Sequence, residues 1–188
     1  MARAVSTDFF QNMYFLVTAT RPDGLNMLNR TALSGVNAPA GFQSCTVPSV
    51  STDSVEYREG TFIYTRKYPG IPSMDQITLN RGVARLDSAF FAWMRLVNEG
   101  SGDYRADVQI KHFHRGVSLT RPFPTTGGPA TNRTFIDEQA QPGRIYHVAE
   151  AFPSMVKLAG DLDGTSSDVS LQEIQLEYEY VEIEELDF

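Results

Sequence analysis

The chain has 188 residues, a single cysteine and a net charge of −7. That length suits one compact domain, residues 1–188, with a hydrophobic core of its own, and a lone Cys45 excludes an intramolecular disulfide framework or a cysteine-based zinc finger. The negative balance argues against nucleic acid as a direct ligand, and no apolar run reaches the roughly 18 residues that a membrane-spanning helix requires.

The N-terminal stretch MARAVSTDFFQNMYFLV lacks the basic start, apolar centre and cleavage site of a signal peptide, so assembly in the cytoplasm without membrane insertion is expected. Charge is unevenly spread. From Gly160 onward there are ten acidic residues and no basic one, whereas residues 1–159 carry 13 acidic and 16 basic side chains. One sheet face or edge, together with the tail, is therefore expected to be strongly negative.

Taken in chain order, apolar and polar residues alternate with period two over 12–20, 42–47, 54–58, 61–67, 74–80, 104–113, 144–151 and 171–183. Those eight segments predict a mainly β chain, an antiparallel barrel or sandwich of about eight strands. Between the first two lies residues 21–41, and between 113 and 144 lies residues 115–143; both lack sustained periodicity and read as inserted loops.

The stretch VEYREGTFIYTRKYPG, residues 55–70, reads as a hairpin. A two-residue turn at Glu59-Gly60 would set Tyr57 opposite Phe62 and Val55 opposite Tyr64, giving a face that packs on the domain's own core. The other face and its surroundings, with Glu56, Arg58, Glu59, Arg66 and Lys67, are charged and read as lying outside the core.

One helix is predicted, over residues 86–99, flanking the sheet. Leu86, Ala89, Phe90, Trp93, Met94 and Val97 recur at helical spacing, with Asp87 or Ser88 to cap the start and Gly100 to end it. Phe90, Trp93 and Met94 are read as its core anchors. In the last predicted strand Ile174, Leu176, Tyr178 and Tyr180 share one face and Glu173, Gln175, Glu177 and Glu179 the other. The phase slips after Tyr180, as a bulge or a change of packing environment would require.

Chemistry is sparse. His112 and His114, two apart on a strand, share a face and could hold a metal with His147, the arrangement of a small β-barrel metalloenzyme. No carboxylate completes that set at a recognisable spacing, there is no Gly-x-Ser-x-Gly elbow, and Gly127-Gly128 lacks a phosphate-loop lysine. Cys45 reads as a small, partly buried residue. No catalytic, cofactor-binding or metal residue is assigned.

Four stretches in order, EYREG, YPGIPSMDQITLNRGV, a helix bearing FFAWM, and AEAFPSMVKLAGDLDGTSSDVSLQEIQLEYE, resemble the inner tube proteins of contractile injection systems and contractile phage tails. The resemblance spans residues 42–179, interrupted at 115–143. It implies a structural, non-enzymatic protein without cofactor, forming hexameric rings that stack into a hollow tube inside a sheath. Partners would be further copies of itself, the sheath, baseplate and terminator proteins, and a DNA or protein cargo that passes without specific binding. A specialised ring that starts or ends the tube is the alternative within that family. The resemblance also implies that a loop reaching the adjacent ring includes Val47, Ser49 and Asp53 and continues into Glu56, Arg58 and Glu59, and that the charged side of the hairpin, with Arg66 and Lys67, meets a neighbouring subunit. An acidic lumen wall is expected for Glu173, Glu177 and Glu179, because negative charge keeps an anionic cargo from sticking.

Overall fold

The computed structural model describes residues 12–31, 37–38, 41–60, 63–85, 87–100, 102–113, 120–122, 132–134, 142–160, 162, 164–165 and 167–185. Within them the chain forms β1 (Phe15–Thr20), β2 (Arg30–Thr31), β3 (Asn37–Ala38), β4 (Ser44–Cys45), β5 (Val50–Tyr57), β6 (Arg66–Met74), β7 (Ile77–Gly82), α1 (Ala89–Asn98), β8 (Ala106–His112), β9 (Thr120–Pro122), β10 (Asn132–Thr134), β11 (Arg144–Lys157), β12 (Leu171–Glu177) and β13 (Tyr180–Glu185). All pairings are antiparallel. The main sheet runs β1-β8-β11-β12-β7-β4, with β13 also on β11, while β2-β3, β5-β6 and β9-β10 form separate pairs.

β11 folds this sheet into a sandwich. Its first half pairs with β8 and β13, its second with β12, and the register with β8 shifts between Val148 and Ala151. Glu150, at that point, has φ 57, a left-handed conformation that costs a non-glycine residue free energy. A strand bends at such a bulge and passes from one packed layer to the next.

The corner is clamped from both sides. Asp107 accepts from the Glu150 backbone N–H at 3.2 Å, Arg105 reaches Glu150 at 3.7 Å and also binds Glu179, and Tyr104 meets Phe152 edge-on. Replacing Glu150 by isoleucine is expected to cost about 1–3 kcal/mol, because a β-branched residue disfavours positive φ. Glycine there should unfold no earlier than wild type in a urea titration; equal midpoints for the two variants would mean that the corner is not strained.

The core lies between the layers. Val17, Val108, Ile110 and Val148 come from one half and Ile77, Leu79, Ile174 and Leu176 from the other, with Phe90 and Trp93 of α1 closing it. Period two explains the selection, since these positions alternate with more exposed ones along each strand. Arg81 continues the alternation of Ile77 and Leu79 and is fully buried. Its guanidinium lies 3.9 Å from the Phe90 ring centre, donates to the Leu28 carbonyl at 2.7 Å and pairs with buried Asp87 at 2.5 Å. Gln172 donates to the other Asp87 oxygen at 2.8 Å.

Three sequence expectations are corrected here. The helix begins at Ala89 rather than 86, because Asp87 is committed to Arg81 and Gln172, and Ser88 makes no side-chain cap. Its end is as expected: Gly100, at φ 67, donates to the Val97 carbonyl at 3.1 Å. β11 runs on to Lys157 instead of stopping at Ala151. Pro153 is tolerated because it sits at a second register shift, where the strand pairs with β12.

The 21–41 stretch is not wholly an insertion either. Arg21 and Gly24, at φ 82, form a turn, Asn26 Oδ1 accepts from the Leu28 N–H at 3.0 Å, and Met27 and Leu28 are buried in the core. Most of the 115–143 stretch lies outside the described residues. The phase slip of the last strand falls at Tyr178-Glu179, where β12 gives way to β13 and the chain changes from one half of the sandwich to the other.

Candidate assembly surface

The β5-β6 hairpin stands apart from the core. Its register pairs Tyr57 with Arg66, Val55 with Tyr68 and Val50 with Met74, so residues 58–65 form the connection and the expected two-residue turn does not occur. Tight primed turns need positive φ at both central residues, or at the first of them, and among the described residues only Gly24, Gly100 and Glu150 have it. The expected core-facing side is also corrected. Val55, Tyr57 and Tyr68 are about half exposed, Tyr64 is 74% and Ile63 83% exposed; Phe62 lies outside the described residues.

The arm has its own local rigidity. A register shift between Thr52 and Ser54 bulges it, and there a side chain at Gly70 would put its Cβ 3.0 Å from the Asp53 carbonyl, a tight contact that glycine avoids. Glu56 pairs with Lys67 at 3.1 Å and Glu59 with Arg66 at 3.9 Å. Exposed pairs of this kind contribute about 0–1 kcal/mol. Its root is tied to the body, where the Ser49 carbonyl accepts from the Asp75 N–H at 3.2 Å and from Tyr178 Oη at 3.3 Å. Thus Val47 and Ser49 approach the arm, Asp53 marks its bulge, and Glu56, Arg58, Glu59, Arg66 and Lys67 lie toward its tip.

The acidic row is divided. Glu173 and Glu177 stand on the outward face of β12, with Gln175 between them donating to Glu173 at 3.0 Å and Gln76 donating to Glu177. Glu179 lies beyond β12 at the corner, bound to Arg105. On β13, Glu184 meets His147 at 2.9 Å and Glu185 binds Arg144.

The histidine set does not form a metal centre as expected for the metalloenzyme alternative. His112 pairs with Arg144 and His147 with Gln109, three positions along the same strand, so their side chains leave opposite faces of the sheet. His114 is outside the described residues, and among those described no group of three or more ligating side chains could hold a metal.

A cleft of about 400 Å³ between β1 and β4 is lined by Phe15, Cys45, Ile110, His112 and Tyr146. Burial pushes the Cys45 thiol up to about 12, so it stays protonated and poorly nucleophilic at neutral pH.

Two features went unread in the sequence: the buried Arg81-Asp87-Gln172 cluster and the exposure of the whole arm. For Arg81 the signal was present, since it falls in phase with Ile77 and Leu79. For the arm no signal separates an apolar face meant for its own core from one meant for another chain.

These features define a class: a β-sandwich that has, among the described residues, one helix and a hairpin that pairs with no other strand and carries exposed apolar side chains outside the core. A sequence model of the T4-like virus tail tube protein gp19 matches residues 11–124, and the chain belongs to that family. The expectation drawn from the resemblance, a structural tube-type protein, is borne out.

Solved structures share the fold. A chain of the anti-feeding prophage (AFP) baseplate, solved by 6-fold symmetrised cryo-EM, superposes with TM-score 0.68 at 17% identity, covering 97% of this chain and 99% of that one. A chain of the sheath-tube complex of the extracellular contractile injection system PVC gives 0.66 at 21% identity, covering 97% and 95%. The AFP tube-terminating cap gives 0.64 at 21% identity, covering 96% and 93%. No curated protein sequence matches the chain. No helix of the described residues is long and apolar enough to cross a membrane.

Proposed function

We propose that the chain is the repeating subunit of the inner tube of a contractile injection system or contractile phage tail, forming hexameric rings that stack inside a sheath. Family membership supports the tube, and the observation that carries the assembly is the β5-β6 arm, paired only with itself within the sheets of the described residues and exposing Val50, Val55, Tyr57, Ile63, Tyr64, Tyr68 and Ile71 to solvent. An apolar hairpin of this kind is an aggregation hazard in a monomer and an interface in a polymer. Stacked rings require a contact between two different patches, repeated without closing along the tube axis. An enzymatic function and a cofactor are not part of this reading. The wall facing the cargo is assigned to the outward side of β12, with Glu173 and Glu177, and Glu179 at its end.

Two substitutions test the assignment. Arg58→Glu reverses an exposed charge at the arm and is expected to leave the thermal midpoint of the subunit unchanged while abolishing tube growth in negative-stain electron microscopy; tubes of normal length would sink the role of the arm. Glu177→Lys changes the proposed lumen wall only, so tubes should form at the wild-type yield. Failure to form rings would instead place Glu177 at a subunit contact. A ring that begins or ends the tube is the second reading, favoured by the similarity of fold to the AFP baseplate and cap chains. Purified protein that stops at single rings, with no filaments, would select it.

A further inference from the structure

The two long edges of the β5-β6 arm differ in their main-chain chemistry. At its root the Asp75 N–H donates to the Ser49 carbonyl at 3.2 Å, and the register runs on through Val50–Met74, Ser51–Ser73 and Thr52–Pro72. Antiparallel pairs alternate between residues that bond one another and residues whose N–H and C=O groups point away from the partner strand. Counted from the bonded Ser49–Asp75 pair, Val50–Met74 and Thr52–Pro72 are of the second kind.

The bulge carries this alternation toward the tip. Gly70 and Ile71 together oppose Asp53, whose carbonyl lies 3.0 Å from where a Gly70 Cβ would stand and so is directed across at β6. Ser54–Pro69 and Glu56–Lys67, on alternate positions beyond it, are therefore outward pairs as well. Along β6 the outward positions are Met74, Pro72, Pro69 and Lys67, and the two prolines have no N–H to offer. Along β5 they are Val50, Thr52, Ser54 and Glu56, each with both donor and acceptor. Among the described residues none of these four makes a backbone bond outside the ladder.

We propose that the arm joins a second copy of the chain by strand addition along its β5 edge alone, with Pro69 and Pro72 closing the β6 edge. The proposal rests on the tube reading and names the edge that reading leaves open. An added strand needs a donor and an acceptor at every second residue, which β5 supplies and β6 does not. A second copy fits because the fold itself provides extended partners: among the described residues β13 is bonded to β11 on one side only. The closed edge has its own use. A hairpin open on both sides could be extended by further hairpins without limit, whereas one closed side stops that stacking.

The experiment compares amide hydrogen exchange in dispersed full-length subunits and in assembled tubes, read residue by residue by mass spectrometry with electron-transfer fragmentation. The amides of Thr52, Ser54 and Glu56 are expected to exchange rapidly in the subunits and at least about a hundredfold more slowly in tubes, while those of Lys67 and Met74 keep their rates. Tubes in which the β5 amides are no slower, or in which Lys67 and Met74 are slowed equally, overturn the edge assignment and leave the tube function standing. Protein that forms neither rings nor tubes overturns the tube reading and this inference with it. Pro69→Thr with Pro72→Thr is the second measurement, since it restores both outward N–H groups without touching a bond of the hairpin. Irregular, thioflavin-binding aggregates at concentrations where the wild type forms only tubes are expected; wild-type solubility and tube shape would overturn the guarding role of the prolines.

Discussion

Substitution of Arg81 by alanine is expected to lower the free energy of unfolding by about 3–5 kcal/mol, the cost of leaving one member of a buried ion pair alone. Both side chains of the Arg81-Asp87 pair are fully removed from solvent, and the guanidinium also donates to the Leu28 carbonyl and stacks on Phe90. Without it, Asp87 keeps Gln172 but loses its counter-charge, and the turn that carries Met27 and Leu28 loses its tie to β7. Removing both charges is a different experiment. Arg81→Met with Asp87→Leu takes away the desolvated carboxylate together with the cation, so the double variant is expected to recover much of the loss. Urea unfolding of dilute, unassembled subunits reads this directly: a double variant as unstable as the sum of its single variants would show that the pair does not act as a unit.

The second large effect is at Trp93. Its indole is fully buried and its Nε1 donates to the Tyr104 carbonyl at 2.6 Å, joining α1 to the segment leading into β8. Trp93→Ala is expected to cost about 3–5 kcal/mol, from lost burial and the cavity left behind. Trp93→Phe keeps most of the apolar volume and leaves the carbonyl without its donor, so about 1–3 kcal/mol is expected. Losses below about 1 kcal/mol for alanine would mean that the helix is not docked through this residue.

What was legible in the chain follows from what periodicity encodes. Alternation along 74–80, 104–113 and 171–183 marked strands that are half buried, and the helical stripe through Phe90 and Trp93 marked α1, because burial on one side imposes its period on the residue types. Met94, on the same stripe, is only partly buried. Where burial is supplied by another chain, the same period misleads. Val55, Tyr57 and Tyr64 are as apolar as core residues, yet they lie outside the core.

The hairpin register was lost for a related reason. The glycine of Glu59-Gly60 suggests a turn, but Gly60 does not take the positive φ that a tight primed turn demands. The division of the acidic row depends on the bend at Glu150, which moves Glu179 to the corner beside Arg105, and a strand that changes partners partway leaves only a phase slip in its sequence. Arg81 was hidden because a buried arginine in a strand contradicts the usual apolar assignment. Its network with Asp87 and Gln172 draws on residues up to 91 positions apart, which no local pattern records.

Assembly is the property on which the proposed function turns. Electron microscopy of the purified full-length protein across a concentration series, with class averages of end views, tests it most directly. Rings with sixfold end views that lengthen into hollow tubes as concentration rises, and an Arg58→Glu variant that does not lengthen, are predicted. A wild-type protein that stays monomeric or dimeric throughout the series would contradict the account.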